Sequence, residues 1–361
     1  MTSSIAIQKV TESRSAAFDF KQFEFGYTAT DHMLIIRFQN GKWSNPFVGP
    51  FQPLQLSPMA ACLHYGQLVF EGMKAYRLQN GNINVFRLKK HGQRLNKSLE
   101  RMCMPEIPEQ LFRESVHAFV ETEQDWVSSL PGNTLYLRPL VIATQPRLGV
   151  KVSEEYSFIL MGTPMSAYYA GNIKVKVETN YVRAVEGGAG FAKHAGNYGA
   201  AFYPTQLARE QGFDQVIWTD GKYNRYIEES GTMNVIFIID GVVVTPPTSG
   251  TILDGVTRDS LLTLARDAGI PVEERPISIE ELEVAFQSGK RIEAFGVGTA
   301  AVITPMELID INGKSYYPNV SETALLYQLK KKLNDIRTGL ATDTYDWNYV
   351  IPVKNDASGH L

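Results

Sequence analysis

Apolar residues recur along this chain with two periods, and the changes of period mark its elements. Asp31-His-Met-Leu-Ile-Ile-Arg-Phe38 is a short apolar run closed by Asn40-Gly41, which predicts a strand and a turn. Leu68–Leu78 and Asn82–Leu88 flank Gln79-Asn80-Gly81 and predict a hairpin. The period then widens to that of a helix over Lys89–Met102 and again over Glu109–Val127, where Phe112, Val116, Phe119 and Val120 share a face. Strands are expected at Leu135–Thr144 and Tyr156–Met161. The next segment, Gly162-Thr-Pro-Met-Ser-Ala-Tyr-Tyr-Ala-Gly171, has Pro, Gly and no apolar period. It predicts a linker over residues 164–175, between a smaller domain at 1–163 and a larger one at 176–361.

The second half resumes with a strand at Ile173–Glu178, a helix at Tyr198–Gln211 and a strand at Gln215–Thr219. Val235–Ile239 and Val242–Thr245 form a hairpin about Asp240-Gly241. Thr257–Ala268 reads as a helix with Leu261, Leu262, Leu264 and Ala265 inward, and Ser278-Ile-Glu-Glu281 is a capping box opening another. Arg291–Phe295 is a strand, and Ser321–Ile336 is the last long helix. Helices alternating with short hairpin strands predict an α+β class in both halves rather than one doubly wound sheet.

Composition narrows the function classes. With 361 residues, 44% hydrophobic and 20% charged, the chain can bury sizeable cores. The net charge of −3 comes without a basic stripe, so no nucleic-acid partner is expected. No stretch approaches 18 apolar residues, and the first residues lack the apolar core of a signal peptide, so no membrane association is expected. Cys62 and Cys103 are the only cysteines, which suits a reducing compartment and a cytoplasmic location. The six histidines have no zinc-type spacing, so no metal site is expected.

The candidate chemistry lies in two segments. Lys193 sits in Gly190-Phe-Ala-Lys-His-Ala-Gly-Asn-Tyr-Gly199, and Glu229 in Ile227-Glu-Glu-Ser-Gly-Thr-Met-Asn-Val235, 36 residues on. An amine on a Gly- and Ala-flanked loop and a carboxylate at a strand are what a pyridoxal-type cofactor needs. The amine condenses with the aldehyde, and the acid keeps the ring nitrogen protonated so that the ring accepts electrons. Ile252-Leu-Asp-Gly-Val-Thr-Arg-Asp259 is a Gly turn running into a helix, whose free N–H groups and Thr257 hydroxyl suit a phosphate. Gly296-x-Gly298-x-x-Ala301 imitates a dinucleotide fingerprint, but Val302-Ile-Thr-Pro305 cannot open the helix that fingerprint requires. An anion-binding turn is the better reading. Arg94 could meet the same phosphate. Singly, each residue has a plain alternative: a loop lysine is usually a solvated charge, a Gly turn a helix cap, a helical arginine surface.

Taken in order, these and other segments resemble a known family. Thr30-Asp-His-Met-Leu34, Leu63-His-Tyr65, Val69-Phe-Glu-Gly-Met-Lys-Ala75, Leu135-Tyr-Leu-Arg-Pro139, Lys193 with Gly196-Asn-Tyr198, Glu229 with Gly231-Thr-Met-Asn234, Ile252-Leu-Asp-Gly-Val256 and Phe295-Gly-Val-Gly-Thr-Ala300 look like the fold-type IV pyridoxal phosphate aminotransferases. The chain is most similar to the branched-chain amino acid aminotransferases. The resemblance implies a two-domain, D-amino acid aminotransferase-like α+β fold with pyridoxal 5′-phosphate between the domains. It also implies reversible transamination of L-leucine, L-isoleucine and L-valine with 2-oxoglutarate. Lys193 would be the catalytic amine, Glu229 the partner of the ring nitrogen and Tyr198 that of the ring hydroxyl. Arg94, Thr232, Val256, Thr257 and Thr299 would bind the remainder of the cofactor, chiefly its phosphate. Thr299, Ala300 and Tyr136 would take the substrate α-carboxylate, and Arg138 the distal carboxylate of glutamate. Phe25, Tyr65, Phe70 and Tyr168 would wall the side-chain pocket. A homodimer is implied, with Tyr65 and Leu148-Gly-Val150 reaching a partner's site. D-amino acid aminotransferases and aminodeoxychorismate lyases share the scaffold, but Tyr136-x-Arg138 and Phe70-Glu-Gly-Met-Lys74 speak against them. Two departures stand out. Ala195 replaces a glycine, which a negative φ would tolerate. Ala301 and Thr304 occupy the places of a Cys-x-x-Cys pair found in mammalian members.

Overall fold

Ten cross-strand pairs between Thr134–Ala143 and Tyr156–Met165, from Thr134–Met165 to Ala143–Tyr156, make the spine of the first of two β-sheets. The computed structural model describes residues 5–166 and 171–353. It divides into two units, one of Met1–Ala167 with Asp335–Leu361 and one of Tyr168–Asn334. Met165 ends a strand that was expected to stop at Met161. The ladder carries it through Gly162 and Pro164, whose composition had argued for a break.

In the first unit, His32–Gln39 adds antiparallel to Tyr156–Met165, and Leu68–Phe70 and Met73–Arg77 add to the other side of the spine. The sequence reads the last two as one strand, and their register is indeed continuous. Pro139 stands opposite the gap and has no N–H to donate, so the ladder lapses at Glu71-Gly72. Helices Leu88–Arg101 and Glu109–Thr122 bury Leu95, Leu99, Phe112, Val116 and Phe119 in one core with Leu34, Leu137 and Phe158. The second helix stops short of Val127, and a 3-10 turn at Gln124–Trp126 follows. There the Trp126 indole donates to Asp31 at 2.8 Å.

The chain beyond Asp335 was assigned to the second domain, but it belongs with the first unit. Strand Asn348–Ile351 pairs antiparallel with Ile83–Phe86 and buries Ile351 in the first core. Asn84 locks the return through its amide, which donates to the Arg337 carbonyl and to Asn348, each at 2.7 Å.

The second unit closes six strands into a ring. Ile227–Ser230 pairs with Gln215–Thr219 on one side and with Met233–Ile239 on the other. Ile173–Glu178, Val302–Ile311 and Ile292–Gly298 complete the circuit. Closure leaves those strands no open edge. Ile173–Glu178 is parallel to both its neighbours, and the other pairs in the ring are antiparallel. Val235, Phe237, Ala294, Ile309 and Leu282 form the core. Both units mix sheet and helix in the α+β manner that the patterning predicts. Among the described residues, no helix is long and apolar enough to cross a membrane.

Candidate active site

The lysine loop of the second unit is pressed against a neighbouring strap. At Gly190 a β-carbon would lie 2.5 Å from the Thr251 carbonyl oxygen and 2.7 Å from its Cα, so only glycine lets the two backbones meet. Three residues on, Lys193 precedes helix Ala195–Glu210. The helix starts earlier than its apolar pattern suggests, because the His194 ring accepts the Gly196 N–H at 3.3 Å and acts as N-cap. Ala195 is its first residue and has no positive φ, so the methyl that replaces the family's glycine is tolerated. The cap also turns Tyr198 back toward the lysine: Lys193 Nζ donates to Tyr198 Oη at 2.7 Å.

Glu229, 3% exposed, lines the same cleft as Lys193, Tyr198 and Thr232. Its Oε1 accepts the Leu253 N–H at 2.8 Å, and its Oε2 lies 3.2 Å from Arg183 Nε. Arg183 also donates to the carbonyls of Gly190 and Thr251. Next to Glu229 on the strand, Glu228 accepts the Thr251 hydroxyl at 2.5 Å. Burial pushes its carboxyl up to about 7, against the pull of Thr251 and Arg183.

Of the residues expected at the phosphate, Thr232, Val256, Thr257 and Thr299 belong to the second unit and Arg94 to the first. Helix Val256–Asp267 begins after Gly255 with no side-chain cap, leaving its first N–H groups available, and Thr257 is buried in that first turn. Asn234 joins this helix to the sheet: its amide donates to Leu253 O at 2.9 Å, and it pairs across the ladder with Val297. Two residues beyond Val297, Thr299 and Ala300 form the turn between Ile292–Gly298 and Val302–Ile311. No helix follows, in keeping with the rejected dinucleotide reading. Val302 holds φ 61° there, a conformation a β-branched residue rarely adopts. Such strain collects at functional turns.

The first unit brings together four of the expected substrate residues, Phe25, Phe70, Tyr136 and Arg138. The Arg138 guanidinium lies 4.7 Å from the Phe70 ring centroid, and its Nη2 donates to Tyr136 Oη at 3.1 Å. Phe25 meets Tyr136 edge-on at 5.2 Å. A β-carbon on Gly72 would sit 1.9 Å from the Tyr136 hydroxyl, which explains the glycine of the Phe-Glu-Gly motif. Arg138 Nε is buried without a hydrogen-bond partner, a donor in want of an anion. Tyr65 stands apart, exposed, with its hydroxyl donating to the Leu148 carbonyl. Tyr168 lies outside the described residues.

Arg94 is buried, not a surface arginine. Its Nε and Nη2 grip the two oxygens of Glu71 at 2.8 and 2.5 Å, with His91 Nδ1 at 3.3 Å from the same carboxylate. Burial works to raise the Glu71 carboxyl, but the Arg94 guanidinium overrides it and holds it well below the usual range. Burial keeps His91 below its ordinary value, hence neutral at pH 7.

Sequence reasoning missed Arg183, Glu228, Thr251 and the function of Glu71. Arg183 lies in an irregular segment with no period to select it. Glu71 and Glu228 were in view only as letters of longer motifs.

A pyridoxal-type cofactor fits these groups. An amine held by a phenol, a buried carboxylate with fixed donors, and an uncapped helix start supply one partner for each of its polar ends.

The comparisons with known proteins agree. The model of the family described as amino-transferase class IV matches residues 68–309. Branched-chain-amino-acid transaminase 1 of Bacillus subtilis is 44% identical over 90% of this chain and 92% of its own length. Branched-chain-amino-acid aminotransferase 2 of the same organism is 40% identical over 96% and 97%. The crystal structure of the branched-chain aminotransferase from Thermoproteus uzoniensis with norvaline superposes with a TM-score of 0.73 at 25% identity, covering 89% of this chain and 100% of that one. Family, fold and site thus point the same way, and the chain belongs to the class IV aminotransferases, in their branched-chain group.

Proposed function

We propose that this chain interconverts L-leucine, L-isoleucine and L-valine with their 2-oxo acids, using 2-oxoglutarate and L-glutamate as the second pair and pyridoxal 5′-phosphate as cofactor. The observation that carries the reading is Lys193 Nζ, 2.7 Å from Tyr198 Oη, in one cleft with Glu229. When bound, the cofactor supplies an electron sink for the bonds at the substrate Cα.

The residues do the rest. Lys193 would hold the aldehyde end of the cofactor, and once substrate displaces it the freed amine would move the proton at the substrate Cα. Tyr198 holds the ring hydroxyl. Glu229, fixed by the Leu253 N–H and flanked by Arg183, places a negative charge at the ring nitrogen and so keeps its proton. Val256 and Thr257 at the helix start, with Thr232, Thr299 and Arg94, hold the phosphate. Thr299, Ala300 and Tyr136 take the α-carboxylate. Phe25 and Phe70 form apolar walls, and Tyr65 adds to the site of a second copy. Arg138 accepts the distal carboxylate of glutamate, and its buried unpartnered Nε supports this role. One cation at the rim of an apolar pocket serves glutamate without excluding leucine.

The active unit is a homodimer in this reading. Leu63, Leu148 and Val150 are exposed apolar residues around the Tyr65–Leu148 contact, a patch suited to burial against a second copy. The cytoplasm is the matching location, since both cysteines are free thiols.

The test is a donor screen with 2-oxoglutarate. Turnover of the three L-amino acids and not of D-alanine is expected. Failure with all three would refute the proposal. Turnover of D-donors alone, or release of 4-aminobenzoate from aminodeoxychorismate, would reassign the chain within its fold.

A further inference from the structure

Glu228 has no role in the reaction described above, yet it is buried beside the group that does. It follows Ile227 on the strand that carries Glu229 and is 8% exposed. Its Oε1 accepts the Thr251 hydroxyl at 2.5 Å, and its Oε2 is buried without a hydrogen-bond partner. A buried carboxyl with half its capacity unused is costly, which is a reason to ask what it holds in place.

It holds the strap from Ser249 to Leu253. Thr251 is the centre of that strap. Its hydroxyl is tied to Glu228 and contacts Ser249 Oγ at 2.9 Å, and its carbonyl accepts Arg183 Nη2. The strap touches the catalytic residues at three points. Gly190, on the lysine loop, lies flush against the Thr251 backbone. The Phe191 N–H donates to the Gly250 carbonyl at 3.2 Å. The Leu253 N–H donates to Glu229 Oε1 at 2.8 Å. Arg183 closes the circuit, since it reaches Thr251, Gly190 and Glu229 together.

We propose that Glu228 is a positioning residue for the reaction: through Thr251 it clamps the 249–253 strap and so sets both the Arg183–Glu229 pair and the loop that presents Lys193. The charged groups facing Glu228 are Arg183 from the segment before the lysine loop, Glu229 on its own strand, and Asp220 from the turn after Gln215–Thr219. Asp220 is engaged with four backbone N–H groups of its own turn. Arg183 and Glu229, paired at 3.2 Å, are the groups through which a charge on Glu228 is felt at the site. As pH rises through about 7, Glu228 becomes a carboxylate, a stronger acceptor for Thr251. The clamp tightens and kcat rises.

The inference rests on the roles given above to Lys193 and Glu229, so the wild-type holoenzyme is measured first. If it neither binds pyridoxal phosphate nor transaminates, that assignment fails and the inference with it. With active wild type, the variants test the clamp alone. Glu228→Ala is expected to lower kcat about tenfold while the KM for L-leucine changes less than about threefold. Glu228→Gln keeps an acceptor oxygen, so it should recover most of kcat and lose the rise of kcat near pH 7. Thr251→Val should repeat the loss, and Thr251→Ser should restore it. In cofactor-free protein, amide exchange at Phe191 and Leu253 should quicken about tenfold in Glu228→Ala and not in Glu228→Gln. The proposal is overturned by wild-type kcat and exchange in Glu228→Ala. Equal damage in Glu228→Gln and Glu228→Ala with an unchanged pH profile would also overturn it. Should Glu228→Ala fail to fold, Glu228→Gln and the two Thr251 variants decide the matter.

Discussion

Replacing Glu71 by Gln tests how the first unit tolerates a buried charge. The carboxylate is fully buried and accepts from Arg94 Nε, from Arg94 Nη2 and from the Gly72 N–H at 2.8 Å, with neutral His91 beside it. Arg94 is itself 7% exposed. An amide keeps the shape but turns one acceptor into a donor facing the guanidinium, and it leaves that cation without its counter-ion. Breaking a buried pair from one side costs about 3–5 kcal/mol. For a unit of this size each kcal/mol moves the melting midpoint by about 2–4 °C, so a drop of roughly 6–20 °C is expected. The melts are run on cofactor-free protein, which separates stability from phosphate binding. Glu71→Gln with Arg94→Met removes both charges and should recover most of the loss. The pH dependence has a definite sign. The folded pKa of Glu71 is depressed, so its stabilisation is complete above the unfolded value of about 4.3. It is lost as pH falls below that value toward the folded pKa. The gap between wild type and Glu71→Gln should be constant above about pH 6 and shrink below about pH 4. A cost under about 1 kcal/mol, or a double variant no better than the single one, would refute the reasoning.

Three further outcomes are expected. Lys193→Ala should abolish turnover while circular dichroism stays unchanged and inorganic phosphate still binds; a rate near wild type would remove the lysine from the mechanism. Arg138→Ala should reduce kcat/KM for glutamate about a hundredfold and for leucine less than about tenfold, because only glutamate loses a charged partner. Equal losses would argue against that role. Gly72→Ala places a methyl 1.9 Å from the Tyr136 hydroxyl, so Tyr136 must move. It should cut kcat/KM for both amino acids about tenfold and leave the cofactor absorbance as in wild type, whereas an unchanged kcat/KM would show that Tyr136 does not touch the substrate.

Much of this was legible because apolar period reports local structure well. The helices at 88–101 and 256–267 and the hairpin about Asp240-Gly241 fall where the pattern puts them. The chemistry of Lys193, Tyr198 and Glu229 was legible for a different reason, since the cofactor demands those residue types in one place. What escaped was decided by distant pairing. Asn348–Ile351 is too short to announce a strand, and it exists because Ile83–Phe86 offers an edge. Tyr156–Met165 runs through a proline because the spine strand holds it in register. Arg183 and Thr251 acquire meaning only when Gly190 lets the strap and the lysine loop touch. The sequence reads Arg94 as a phosphate ligand with a surface cation as the alternative, and its burial against Glu71 is not visible there.

The central claim is that Lys193, Tyr198 and Glu229 form a pyridoxal phosphate site that takes branched-chain L-amino acids. The direct test is an absorbance spectrum of the purified protein with pyridoxal phosphate, before and after adding L-leucine without any keto acid. The account predicts a yellow band that bleaches to the amine form of the cofactor. A protein that stays colourless with added cofactor, or a yellow band indifferent to L-leucine, would contradict it.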